Sequence, residues 1–118
     1  MVTPILISST DEPRKLVVVT MEGPLADPAH VEAIRTVLPA VPDGHSLIVD
    51  LTETSEFSPG SIEALRSIAT DATVLGQTMI VVCGNLDRRA ELVLSDLDTL
   101  VPVVPALEDA LPLAQSAA

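Results

Sequence analysis

The chain has 118 residues, room for one domain and not for two. Its hydrophobic fraction of 47% supplies a core and argues against disorder, yet Phe57 is the lone aromatic residue. Six Lys and Arg against 17 Asp and Glu give a formal charge of −11. Such a surface repels phosphate backbones and anionic lipid, and the chain has almost no aromatic platforms for bases, so nucleic acid and membrane are not expected as partners. The lone cysteine, Cys83, excludes an internal disulfide and suits a reducing cytoplasm. No run approaches the ~20 apolar residues of a membrane span. Met1-Val2-Thr3-Pro4 lacks the basic and apolar segments of a signal peptide, so a cytoplasmic domain is expected.

Taken in order, Ile5–Ser8 and Leu16–Met21 read as two strands around the turn cluster Asp11-Glu12-Pro13, forming a hairpin. The continuous run Leu16-Val17-Val18-Val19 suits an interior strand, which Gly23-Pro24 is expected to end. Asp27-Pro28 is a helix start: the carboxylate caps free amides, and proline at the first helical position loses no hydrogen bond. Val31, Ile34 and Leu38 then recur at intervals of three and four until Pro39 and Pro42 stop the helix. Ser46–Leu51 is the third strand.

Ser58-Pro59 repeats the helix-start signal, with Ile62, Leu65, Ile68 and Ala72 as the buried stripe and Gly76 as the C-terminal cap. A strand over Met79–Cys83, a helix over Asp87–Leu97, a strand over Leu100–Val104 and a short helix over Ala106–Leu111, ended by Pro112, complete the chain. The tail Ala114–Ala118 is expected to fray. The order β-β-α-β-α-β-α-β-α predicts one α/β domain over 1–118, its core about 5–111. About five strands and four helices would form a mixed, mostly parallel sheet.

Catalytic and ligand motifs are sparse. No G-x-S-x-G elbow, phosphate-binding loop or dinucleotide fingerprint occurs. His30 and His45 read as ordinary surface residues and Cys83 as an inert packing residue. Three scattered Cys and His cannot make a structural zinc site, and Asp96 and Asp98 alone cannot make a calcium loop. No metal or other cofactor is expected. The Ser58 turn is the most informative place. Ser55, Ser58 and Ser61 bring three hydroxyls beside Phe57. One reading is a helix cap, with Ser58 accepting from amides and Phe57 packing as a staple. The other is a phosphorylation or docking loop, where about two added negative charges would alter partner affinity.

Three segments resemble STAS domains, in particular the bacterial anti-sigma factor antagonists. Val18-Val19-Thr20-Met21-Glu22-Gly23-Pro24-Leu25 resembles that family's strand ending in G-x-L. Leu47-Ile48-Val49-Asp50-Leu51-Thr52 resembles its strand ending in D-L-[ST], and Val101–Leu111 its closing strand and short acidic helix. The resemblance covers roughly Ile5 to Leu111 and implies a non-enzymatic switch module that binds an anti-sigma factor, often a serine kinase.

In that family, phosphorylation within D-[ST]-S-G at the start of the second helix turns binding off. Counted from Asp50, Ser58 stands at the family's Asp, Pro59 at the phospho-acceptor, Gly60 at the second Ser and Ser61 at the Gly. Proline cannot accept phosphate. Either the switch is absent, or a one-residue shift makes Ser58 a substitute acceptor. The expected docking residues are Phe57, Ser58, Gly60, Ser61 and Ile62, within a loop Thr54–Ser61 and a surface reaching Glu63 and Arg66. The rivals are a STAS-type module sensing a small molecule or nucleotide, and a serine-dependent enzyme using Ser58 or Ser61. A monomer or weak homodimer is expected, the latter because an exposed edge strand could pair.

Overall fold

A computed structural model describes residues 5–116. The apolar runs become five strands: β1 (Ile5–Asp11), β2 (Leu16–Leu25), β3 (Ser46–Phe57), β4 (Thr78–Val82) and β5 (Val103–Val104). They form one sheet in chain order, β1 antiparallel to β2 and each later pair parallel. The α-helices are α1 (Pro28–Arg35), α2 (Pro59–Val74), α3 (Leu86–Leu94) and α4 (Leu107–Ser116). The predicted element order and mixed, mostly parallel sheet are therefore observed, with two short 3-10 turns, Leu38–Ala40 and Leu97–Thr99, in addition.

Alternation along each strand divides the core. Val17, Val19 and Met21 of β2, Leu47, Val49 and Leu51 of β3, and Met79 and Val81 of β4 pack beneath α1, α2 and α3. Leu16, Ile48, Ile80 and Val82 face the other way, onto Ala110 and Ala114 of α4. A parallel strand buried on both faces has to be apolar throughout, which is why these runs do not alternate with polar residues.

Several boundaries differ from the sequence reading, each for a physical reason. Gly23-Pro24 does not end β2. The ladder shifts register between Gly23 and Pro24, and at such an irregularity a proline can be tolerated within a sheet. The extension lets Glu22, Gly23, Pro24 and Leu25 pair with Glu53, Thr54, Glu56 and Phe57, so β3 runs six residues beyond Leu51. The expected loop Thr54–Ser61 is thus strand up to Phe57 and helix from Pro59, and Ser58 alone joins β3 to α2.

The third helix stops at Leu94 because Asp96 adopts the left-handed conformation (φ 65°) before the second 3-10 turn. β5 is only Val103–Val104. Pro112 does not end α4 but lies inside it. Ala110 and Ala114, four positions apart, are both buried on the sheet and hold the helix through the proline. Helix therefore covers the start of the tail expected to fray. Residues 117–118, and residues 1–4 with the signal-peptide reading, lie outside the described residues.

Candidate functional site: the junction of β3 and α2

The site is built at the C-terminal end of the central parallel strands, where β3 passes into α2. Asp50 and Thr52, near the middle of β3, shape the approach. The Asp50 carboxylate accepts from the Thr52 amide at 3.0 Å, and the Thr52 hydroxyl accepts from the Gly84 amide at 3.0 Å, tying β3 to the end of β4. A β-carbon on Gly84 would lie 2.9 Å from the Thr52 methyl, so glycine is what lets the two segments approach.

Ser58 caps α2 as the sequence predicts. Its Oγ accepts from the Ser61 amide at 3.0 Å, Pro59 occupies the first helical position, and the Ile62 amide donates to the Ser58 carbonyl at 3.1 Å. The Ser58 hydroxyl donates to Ser61 Oγ at 3.0 Å, and the Ser61 hydroxyl donates in turn to the Leu25 carbonyl. The Leu25 carbonyl also accepts from the Ser58 amide at 3.3 Å. A two-hydroxyl chain thereby anchors the start of α2 to the end of β2. At the other end Gly76 (φ 73°) closes the helix: its amide donates to Thr73 and that of Gln77 to Ala72.

The expected docking residues separate into two groups. Phe57 and Ile62 are half-buried, pack against the main core, and line one groove of about 360 Å³ together with Pro59, Glu63 and Arg66. They occupy the two positions of a hydrophobic staple, before the cap and one turn into the helix. Gly60 is exposed at the helix start and Ser58 half-buried. Ser61, by contrast, is fully buried, its hydroxyl directed to Leu25 rather than to a partner.

Glu91 and Ser95, from α3 and the turn after it, form the opposite wall of the groove. Sequence reasoning did not include this wall. The only available signal was that α3 carries more large aliphatics than one buried stripe needs.

The arrangement offers little for covalent chemistry. No histidine hydrogen-bonds to Ser58 or Ser61 among the described residues. His45 is not the surface residue expected from its turn: its side chain is only 9% exposed and its Nε2 lies 3.3 Å from Glu12. Cys83 is buried beside α3, and burial pushes its thiol up, away from the reactive thiolate. Among the described residues no three His, Cys, Asp or Glu converge as metal ligands, and no helix is long and apolar enough to cross a membrane.

This is the fold of STAS domains. The chain is similar to the crystal structure of an anti-sigma factor antagonist from Mycobacterium paratuberculosis, at TM-score 0.75 and 22% identity, covering 96% of this chain and 95% of that one. A proposed anti-sigma factor antagonist from Thermotoga maritima matches at TM-score 0.76 and 14% identity over 93% and 94% of the two chains. The STAS domain of a SulP transporter from Vibrio cholerae matches at TM-score 0.73 and 25% identity over 88% and 84%. No family model and no curated protein sequence matches the chain.

Proposed function

We propose that the protein is a non-enzymatic, cytoplasmic regulatory module of a bacterial transcription pathway, one STAS-like domain over 1–118, which docks onto an anti-sigma factor of the serine-kinase type. The observation that carries this reading is the match over 96% of this chain and 95% of the other to the structure of an anti-sigma factor antagonist. The contact surface is the groove at the β3–α2 junction, with Phe57 and Ile62 as its apolar floor and Glu63 and Arg66 on its helix wall. The module works without the phospho-switch. Pro59 has no hydroxyl, Ser61 is enclosed, and the Ser58 hydroxyl is engaged by Ser61.

The test is capture of binding proteins from a lysate of the source organism, with purified candidates then titrated against the chain. Binding of a kinase-fold anti-sigma factor, weakened in Phe57→Ala at a temperature where circular dichroism shows the variant still folded, supports the reading. Absence of any such partner, together with a rise in Tm on adding nucleotides or small apolar molecules, would replace it with ligand sensing.

A further inference from the structure

We infer that the sheet carries a second docking surface, on the side of α4 and over β1 and β2, and that it takes a basic amphipathic helix from a partner. Phe57 packs into the core on the other side of the sheet, so this surface is separate from the groove and does not depend on the docking reading above.

On its face of the sheet α4 lies over β4 and reaches β3 and β5 on either side. Beyond it, Val18, Thr20 and Glu22 of β2 are only half-buried, and Ile5 and Ile7 of β1 are 54% and 51% exposed. The register sets these residues side by side. Ile5 is level with Glu22 and Ile7 with Thr20, and all of them share the side of Leu16, which packs in the cluster under α4. β2 and β3 are a parallel pair, and parallel strands are normally covered on both faces. Open aliphatic side chains on such a face mark a contact surface.

The same register decides the charge of the face. Glu22 is level with Glu53, Thr20 with Asp50 and Pro24 with Glu56, so four carboxylates stand on the side away from Phe57. α4 adds Glu108 and Asp109 in its first turn, both exposed. None of these six forms an ion pair among the described residues. The cations lie elsewhere. Arg35, Arg66, Arg88 and Arg89 belong to helices of the other face, where Glu91 and the Ser55 and Cys83 carbonyls hold the last two. Arg14 and Lys15 sit in the β1–β2 turn, at the far end of β2 from Glu22. The face is therefore net negative, and its partner has to bring Lys or Arg beside an apolar row.

Spacing selects a helix. Neighbouring strands are about 4.8 Å apart, which sets β2 about 10 Å from β4, and packed helices lie about 8–10 Å apart. A helix centred on β2 therefore fits beside α4, its apolar row on Ile5, Ile7 and Val18 and its cations toward Glu22, Asp50 and Glu53. A second copy of this chain does not suit the face, since it would bring a further formal charge of −11. Nor does a metal ion, because no three carboxylates or other ligands converge among the described residues.

The test uses the isotope-labelled full chain, titrated by NMR with a synthetic Leu/Lys amphipathic helix of about 14 residues, roughly four turns. A scrambled peptide of the same composition and a Leu/Glu helix serve as controls. The Leu/Lys peptide is expected to be helical when bound, to perturb Ile5, Ile7, Val18, Thr20 and Glu22 but not Gly60–Arg66, and to weaken with added salt. Glu22→Gln/Glu53→Gln and, separately, Ile5→Ser/Ile7→Ser should each weaken binding about tenfold. The glutamine variant removes two like charges set side by side, so it should melt no lower than wild type and stays informative if the serine variant does not fold. Equal binding of either control, perturbations centred on the β3–α2 groove, or unchanged affinity of the glutamine variant would overturn the inference. A peptide bound as a strand, protecting the outward amides of β1 from exchange, would also overturn it and assign the free edge of the sheet instead.

Discussion

Gly60, in the first turn of α2, approaches Pro28, at the start of α1, so closely that a β-carbon on it would lie 2.8 Å from the proline Cγ. The two helix starts therefore meet through a glycine and a rigid ring, and the position that looks open in the sequence is closed by a neighbour far away along the chain. Further down the same pair of helices, Arg35 of α1 holds Glu32 at 2.6 Å, reaches Ser67 of α2 at 2.9 Å and pairs with Asp71.

Gly60→Ser, which would place a serine where the family resemblance has one, is expected to destabilise the fold by about 1–3 kcal/mol, because the ring cannot bend aside as a flexible side chain would. Urea unfolding measures this. Adding Pro28→Ala should return part of the loss, and a double-mutant cycle showing strict additivity would refute the contact.

The serine chain supplies a graded expectation. Ser58→Ala removes the cap and should cost about 0.5–2 kcal/mol. Ser61→Ala should fall near the low end of the roughly 1–3 kcal/mol attached to an unsatisfied buried group, since the Leu25 carbonyl keeps the Ser58 amide. Serine-directed covalent probes should leave the intact mass of the folded protein unchanged, and stoichiometric labelling at Ser61 would contradict its enclosure.

The Glu32–Arg35 pair within α1 should be acid-sensitive. The hydrogen bond from Arg35, aided by its charge, holds the Glu32 carboxyl below the usual glutamate range. A carboxyl whose folded value lies below its unfolded one contributes stability above the unfolded value and loses it as pH falls through the folded one. Wild type and Glu32→Gln should differ near neutral pH and converge on acidification below about pH 4. The pair is exposed to solvent, so the difference should be small and should shrink with salt. Thermal melts across pH test this, and curves that stay parallel to low pH would count against it.

Cys83 should resist alkylation in the native protein and react only as the chain unfolds. Burial raises its thiol, and a weak 3.7 Å contact to the Asn85 carbonyl does not reverse this. Iodoacetamide labelling followed against urea concentration should track the unfolding curve. Rapid labelling without urea would show that the β4 end opens locally.

Local chemistry made much of this structure legible in the sequence. Asp27-Pro28 and Ser58-Pro59 start helices because capping side chains and fixed proline torsions act within a few residues, and Gly76 ends one because it alone enters a left-handed turn cheaply. The aliphatic runs of β2, β3 and β4 announced a sheet buried on both faces.

What depends on a distant partner was not legible. The segment Thr54–Ser61 reads as loop, and its first four residues become strand only because Gly23, Pro24 and Leu25 lie beside them. Pro112 reads as a stop, yet the sheet beneath Ala110 and Ala114 carries the helix past it. The packing of Phe57 against the start of α2 is legible from helix-start chemistry. That Glu91 and Ser95 face Phe57 and Ile62 across a groove, and that Ser61 turns inward, was decided by tertiary packing. Short-range torsion and capping preferences are written residue by residue, whereas burial and strand pairing are properties of surfaces that meet only once the chain has folded.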